Sequence, residues 1–246
     1  MKNRIILLIA LIFSGGIMFA QEAISGQIAD WSNGNGDVIG GLRAPVILGS
    51  VASDGTFAIP LNADYLSVVK KQLEASKKES SSDFSTSLIK LDRAFGCSSE
   101  NMEFTDTDQP VSALSTLGMF ALGDMEQERL FGYLIAASSD EFAKSIKNIM
   151  SNEFKTGYFV DWYYVAKPAS IKGSCTFESY AINQEEMYSN TQEYDLEFRA
   201  GWNIIKYEIE AVFEDRDGKT YPSRERYTVL DELPRDMKYV FLPHER

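Results

Sequence analysis

The stretch YDLEFRAGWNIIKYEIEAVFE, residues 194–214, alternates apolar with charged side chains on both sides of a turn at Ala200-Gly201. Successive side chains of a β-strand point to opposite faces, so each half of the stretch would bury one face and hydrate the other. The pattern predicts two antiparallel strands joined as a hairpin, with an antiparallel sheet as the basis of the fold. The expected buried faces are Tyr194, Leu196 and Phe198, and then Ile205, Tyr207, Ile209, Ala211 and Phe213.

Further segments of strand length lie on both sides of this stretch, and one helix interrupts them. Asp217-Gly218 predicts the next turn, and a capping box of Ser138 and Glu141 predicts the start of the helix. Residues 84–246 are therefore expected to form a larger antiparallel β-sandwich, or a partly closed barrel, with one helix. The helix would bury Phe142, Ile146 and Ile149, and the other predicted strands cover residues 114–122, 129–137, 157–166, 171–181, 221–230 and 238–242.

Residues 21–61 predict a small β-sandwich made of short strands. Asp54-Gly55 lies between two apolar segments, and both residue types tolerate a positive φ, so a hairpin turn is expected there. The sequences ISGQI at 24–28 and GSVASDGTFAI at 49–59 resemble the carboxypeptidase regulatory-like module, a prealbumin-like β-sandwich of exported bacterial proteins. This resemblance implies a folding or docking module with no catalytic residues.

Residues 62–83 predict a helical connector followed by a linker. Asn62 is a suitable helix cap, and Leu66, Val69 and Leu73 fall on one face of the helix that would follow it. The polar sequence ESSSD at 79–83 then reads as a loop. We therefore expect a domain boundary here, between the module at 21–61 and the larger domain at 84–246.

Residues 1–20 have the parts of a secretory signal peptide. Lys2 and Arg4 precede an apolar run at 5–13. No charged residue follows until Glu22, and Ala20 is the small residue at the expected cleavage site. An uncleaved membrane anchor is the alternative, but the apolar segment at 5–20 is shorter than the roughly 20 residues that span a bilayer. We expect cleavage after Ala20 and a soluble periplasmic or secreted protein, not a lipoprotein, since no cysteine lies near the cut.

The composition is acidic. The chain of 246 residues has 24 basic and 36 acidic side chains, and removal of Lys2 and Arg4 with the signal leaves a formal charge of −14. Such a surface repels phosphate backbones, so nucleic acid is not an expected partner. The acidic side chains would serve to bind a cation, to bind a basic partner or to keep the protein soluble. Solubility is the explanation that needs the fewest assumptions. We expect partners among envelope proteins or glycans, and no membrane-spanning segment after cleavage.

The two cysteines, Cys97 and Cys175, predict one disulfide, because a single pair in an oxidising compartment usually closes. Cys175 would share a strand face with Ile171 and Phe177, whereas Cys97 follows Phe95-Gly96 in a predicted loop. A bridge would fix that loop to the strand. Two buried free thiols are the alternative.

The residue types limit the chemistry available. His244 is the only histidine, so Ser-His-Asp sites, Cys-His sites and most zinc sites are not expected. The sequence predicts no catalytic residue, no cofactor and no metal site. Ser67 and Ser87 each begin a Ser-x-x-Lys match, but a chain rich in serine and lysine gives such matches by chance. Asp106 and Asp108 share one side of an extended segment and are a candidate carboxylate pair. The run at 214–218 resembles part of a calcium loop, but Phe213 and Arg224 hold its first and twelfth positions, where acids are needed, so a turn explains it better.

One strand stands out by its aromatic content. In GYFVDWYY at 157–164, alternation places Tyr158, Val160, Trp162 and Tyr164 on one face. Rings on an open face would stack on sugars or line an apolar pocket, and Tyr158, Trp162 and Tyr164 are then the candidate ligand-binding residues. Because both faces of the strand are apolar, the pattern favours a central strand whose rings belong to the core.

These observations favour a non-catalytic, exported binding or interaction protein of the periplasm or cell envelope. Two alternatives stay open. A carboxylate-only hydrolase such as a glycosidase would need two acids in one cleft, roughly 5 to 9.5 Å apart. A structural or assembly component would have no ligand pocket.

Overall fold

The protein is mainly β, as the alternation predicts. The computed structural model describes residues 23–40, 46–79, 88–97 and 99–244. Its strands are β1 (Ala23–Gln27), β2 (Gly36–Gly40), β3 (Val46–Val51), β4 (Thr56–Pro60), β5 (Met102–Thr105), β6 (Val111–Ala113), β7 (Met119–Asp124), β8 (Arg129–Ala137), β9 (Gly157–Val165), β10 (Ala169–Tyr180), β11 (Met187–Phe198), β12 (Gly201–Glu214), β13 (Thr220–Leu230) and β14 (Lys238–Pro243). The helices are α1 (Tyr65–Glu79), α2 (Leu91–Ala94) and α3 (Asp140–Lys147), and a 3-10 turn covers Ile149–Ser151.

All fourteen strands belong to one continuous sheet that is not closed into a barrel. The pairs are antiparallel except for β11 and β13, which are parallel. The strand order is β1-β4-β3-β2-β7-β8-β9-β12-β13-β11-β10-β5, with β14 paired to β8 and β6 paired to β9.

The first four strands join the rest of the sheet through β2, which pairs with β7. The turn at Asp54-Gly55 is confirmed: Gly55 has a φ of 85°, and the Asp54 carboxylate accepts the N–H of Thr56 at 2.9 Å. Helix α1 occupies the predicted connector. The predicted signal peptide and residues 80–87 lie outside the described residues, and the proposed domain limits stay predictions.

The hairpin predicted for residues 194–213 is wrong in one respect. β11 and β12 are not neighbours, because β13 lies between them, antiparallel to β12 and parallel to β11. The turn at Asp217-Gly218 forms as predicted, and the Asp215 carboxylate accepts the N–H groups of Asp217 and Lys219. This tight turn lets β13 fold back onto β12 and occupy its edge. Alternation predicts which face a side chain takes but not which strand lies beside it.

Helix α3 begins one residue later than the predicted capping box. Ser139 is the cap, and its hydroxyl accepts the N–H of Phe142 at 3.1 Å. Ser138 instead accepts the N–H of Tyr158, which ties the start of the helix to β9. Phe142 and Ile146 are buried as expected, whereas Ile149 lies beyond the helix and is exposed.

Three apolar clusters hold the fold together. The first lies between the N-terminal strands and β7 to β9, with Trp162 and Phe57 inside it. The second packs Leu91 and Phe95 against β10 and β11. The third packs α3 against β8 and β14. The first and third clusters cover central strands, whereas the second covers the first part of β10 and the last part of β11, near the end of the strand order.

Candidate functional site

The three predicted ligand-binding residues lie in and beside the first cluster. Trp162 is 0 % exposed, and Tyr158 is buried with its hydroxyl donating to Asp236 at 2.7 Å. Tyr164 is half-buried, and its hydroxyl donates to the carbonyl of Ala63 at 2.6 Å. β12 pairs with the whole of β9 on one edge, while β8 and β6 cover parts of the other. The structure therefore places this strand at the centre of the sheet, with no open aromatic face.

Two carboxylates on the inner strands are buried rather than set in a cleft. Asp161 is 1 % exposed, and burial raises its pKa to about 6, against the opposing effect of nearby N–H groups of Trp162, Ser115 and Gly118. Its Oδ1 accepts the N–H of Trp162 at 2.8 Å, and its Oδ2 has no hydrogen-bond partner. A carboxyl in this position does not reach a substrate.

Glu225, on β13, is also buried, at 5 % exposure. It accepts hydrogen bonds from Tyr207, from Asn190 at 2.6 Å and from Gln192 at 2.9 Å. These three neutral donors hold the carboxylate inside the sheet, between the second and third clusters. Glu225 therefore organises the polar interior and is not placed as an acid or base for a substrate.

The predicted disulfide between Cys97 and Cys175 is present, with the two Cα atoms 6.4 Å apart. It fixes the chain that precedes β5 across β10. Gly173, at a φ of 124°, allows this approach, because a Cβ there would lie 1.9 Å from the carbonyl oxygen of Asn101. The segment that precedes β5 covers β10 up to the disulfide and Gly173. These two features therefore mark where that cover ends.

Beyond that point the outer edge of β10 is free. β11 pairs with all of β10, from Ala169 to Tyr180, whereas β5 pairs only with residues 170–173. Among the described residues, no strand pairs with the outer edge at 174–180. We call residues 174–193, which include this edge, the tip of the hairpin and the facing part of β11, the open hairpin.

The open hairpin has a concentration of exposed apolar side chains. Ten large hydrophobic side chains are exposed in the described chain, and four of them lie within residues 177–187. This clustering is local rather than the scattered exposure normal for a surface, and it occupies both faces of the hairpin, since Phe177 and Tyr180 point to opposite sides of β10. The four residues are Phe177, Tyr180, Ile182 and Met187, exposed by 43 to 64 %.

The backbone of the open hairpin is nevertheless held in place. Tyr188 stacks on Phe213 and packs against Tyr221. The Tyr221 hydroxyl accepts the N–H of Ile182 at 2.9 Å and donates to Asp215 at 3.0 Å. A fixed edge binds a partner with less loss of conformational entropy than a mobile one.

A shallow groove of about 730 Å³ lies over β2, β7 and β8, with Ile39, Met119 and Tyr133 among its lining residues. Its rim mixes acids with bases, for example Glu128 with Lys147. This mixture favours no particular ligand charge, so the groove is less informative than the open hairpin.

The sequence contains a signal for the open hairpin that alternation alone misses. Phe177 follows Ile171 and Cys175 on the same predicted face and was expected in the same environment. Ile171 and Cys175 are buried but Phe177 is exposed, because the cover ends at the disulfide. The signal is the absence of Lys, Arg and Pro at 174–180, residue types that commonly protect a strand edge.

No family model, curated protein or solved structure matches this chain. The resemblance of residues 24–59 to the carboxypeptidase regulatory-like module therefore stays a prediction. Within the described ranges there is no cluster of three or more metal-ligating side chains. Nor does any helix in them have the length and hydropathy needed to span a bilayer.

Proposed function

We propose that this protein is a non-catalytic, exported interaction protein of the periplasm or cell envelope. It binds an extended segment of a partner protein by adding that segment as a strand along residues 174–180 of β10. The observation that carries the proposal is the free edge of β10, with exposed apolar side chains beside it.

The physical basis is the hydrogen bonding of the backbone. A free strand edge presents a row of N–H and C=O groups that pair readily with another chain. Proteins usually protect such an edge with a bulge, a proline or a charged side chain, most often a lysine. β10 keeps an unbroken register with β11 over its full length and has no proline or lysine at 174–180, where Glu178 is the one charged residue.

The buried carboxylates argue against the hydrolase alternative. An acid with a raised pKa is useful to a glycosidase only where it touches the sugar. Asp161 has the raised pKa but is enclosed by the turn at Ser115 and by β9 itself. The export part of the proposal rests on residues 1–20, and the binding part on the open hairpin.

A phage-displayed library of random peptides, selected on the mature chain at residues 21–246, tests the proposal. The selected peptides should change the amide resonances of residues 174–180 in NMR spectra. Replacing both Phe177 and Tyr180 with Asp should abolish their binding, because it removes the apolar contacts on either face of the edge.

The matched control is Ile47→Asp, since Ile47 is a similarly exposed apolar residue on β3. This variant should bind the peptides as the unmodified protein does. The proposal is wrong if no peptide is selected, or if the selected peptides still bind the Phe177→Asp, Tyr180→Asp double variant.

A further inference from the structure

The β10–β11 hairpin is strongly acidic. Between Lys172 and Arg199 the chain contains no lysine or arginine and six acids. This imbalance is sharper than that of the whole chain, where 24 bases accompany 36 acids. The six acids are Glu178, Glu185, Glu186, Glu193, Asp195 and Glu197.

Most of these acids have a partner elsewhere in the sheet. Glu193 pairs with Arg224 and Arg226 of β13. Arg216 lies 3.6 Å from both Glu185 and Glu186, and Lys172 lies 3.4 Å from Glu197. The positive charges that pair with these acids therefore come from β13, from the turn that precedes it and from Lys172.

Glu178 and Asp195 have no ion pair in the described structure, and of the two only Glu178 lies in the middle of the free edge. Its neighbour on the inner side is Ser189 of β11, and on the outer side no strand is paired. Thr176 and Tyr180 lie on the same face, one on each side of it. A strand added to the edge would place one residue directly opposite Glu178.

We infer that the partner segment is a basic, alternating strand, with a Lys or Arg opposite Glu178 and apolar side chains against Phe177. This inference rests on the proposed function and specifies its partner. Opposite charges in directly facing cross-strand positions attract, whereas like charges repel. The acidic surroundings add a longer-range attraction for a basic segment.

The direction of the added strand follows from β5. β5 is antiparallel to β10 and begins at Met102, opposite Gly173. Upstream of Met102 the chain has a turn at Asn101, and no described strand pairs with the outer edge of β10 beyond Gly173. An antiparallel partner strand would lie in line with β5, and its C-terminal end would meet that turn.

A second copy of this chain is a poorer occupant. Paired about Phe177, two copies would bring together two open hairpins that each have four acids and no base. Glu178 of each copy would then face Thr176, which offers no compensating charge. Charge complementarity therefore favours a foreign basic segment over self-association.

Three synthetic peptides test the inference on the mature chain. Their sequences are Ser-Thr-Val-Lys-Val-Thr-Ser, the same with Gln in place of Lys, and the same with Glu. We expect the Lys peptide to bind on the order of tenfold more tightly than the Glu peptide, with the Gln peptide between them. NMR titration gives both the dissociation constant and the amides affected.

The Glu178→Lys variant should reverse this order of affinities. Asp195→Lys is the matched control, because it changes the net charge equally but lies on β11, which is paired on both edges. That variant should keep the original preference for the Lys peptide. The difference between the two variants separates a facing charge from a general effect of net charge.

The outcomes distinguish the inference from the proposed function. Equal binding of the three peptides, with shifts at 174–180, would overturn the basic partner and leave strand addition intact. Absence of binding by every peptide, or shifts elsewhere, would overturn both. A dimer in sedimentation equilibrium that Thr176→Glu disrupts, because that side chain would face Glu178 of the other copy, would make a second copy the occupant and contradict the inference.

Discussion

β9 and the open hairpin both have aromatic side chains, but in opposite environments. The rings compared are Trp162 and Tyr158 in β9 and Phe177 and Tyr180 in the hairpin. The rings of Trp162 and Tyr158 are buried, whereas those of Phe177 and Tyr180 are exposed. The difference comes from strand order, because β9 is central and β10 lies beside the short last strand, β5. Aromatic content alone therefore does not identify a binding surface.

The largest effect should come from the centre of the sheet. Trp162→Ala should lower the free energy of unfolding by about 3 to 5 kcal/mol, because it leaves a cavity among fully buried side chains. Urea denaturation followed by circular dichroism measures this change. A variant that keeps its stability but loses ligand binding would place Trp162 at a binding surface and contradict the comparison.

The disulfide should have the next largest effect, since it fixes the end of the cover over β10. Replacing Cys97 and Cys175 with Ala removes a bridge across a sequence separation of 78 residues. The expected loss in the free energy of unfolding is about 4 kcal/mol. If the double variant unfolds at the same urea concentration as the unmodified protein, the bridge does not constrain the chain as described.

Asp161, on the central strand β9, should make the free energy of unfolding depend on pH. Burial raises its pKa from 3.8 to about 6, so the folded state holds a proton that the unfolded state releases between these values. The free energy of unfolding should fall by about 2 kcal/mol as the pH rises from 4 to 7 because of this group alone. Asp161→Asn should lack that contribution.

The measurement for Asp161 is the difference in pH dependence between the two proteins, obtained from urea denaturation at pH 4 and pH 7. Other titrating groups contribute equally to both and cancel. Identical pH profiles would mean that the Asp161 carboxyl is hydrated in the folded protein, against its buried position.

The smallest effect on stability should come from the open hairpin. Tyr180→Ala should change the free energy of unfolding by no more than about 0.5 kcal/mol, because the side chain is 63 % exposed. The same variant should weaken peptide binding. A stability loss similar to that of Trp162→Ala would show that Tyr180 is packed against a part of the protein that covers the edge.

Local patterns in the sequence predicted the elements and their faces but not their neighbours. Alternation correctly indicated that Ile205 and Ile209 are buried, and the turns at Asp54-Gly55 and Asp217-Gly218 formed as expected. The insertion of β13 between β11 and β12 was not predictable, because pairing depends on the whole chain. For the same reason, alternation could place Phe177 on a face but could not indicate that its cover ends at Cys175.

Residue-resolved hydrogen exchange along β10 tests the central claim most directly. In a strand paired on one edge only, alternate N–H groups point to the free side. The free protein should therefore show fast exchange at every second amide between Ser174 and Tyr180, and slow exchange at the amides that face β11. Binding of the Lys peptide should protect the fast amides and remove the alternation. Uniform protection in the free protein, or alternation that persists when the peptide is bound, would contradict strand addition at this edge.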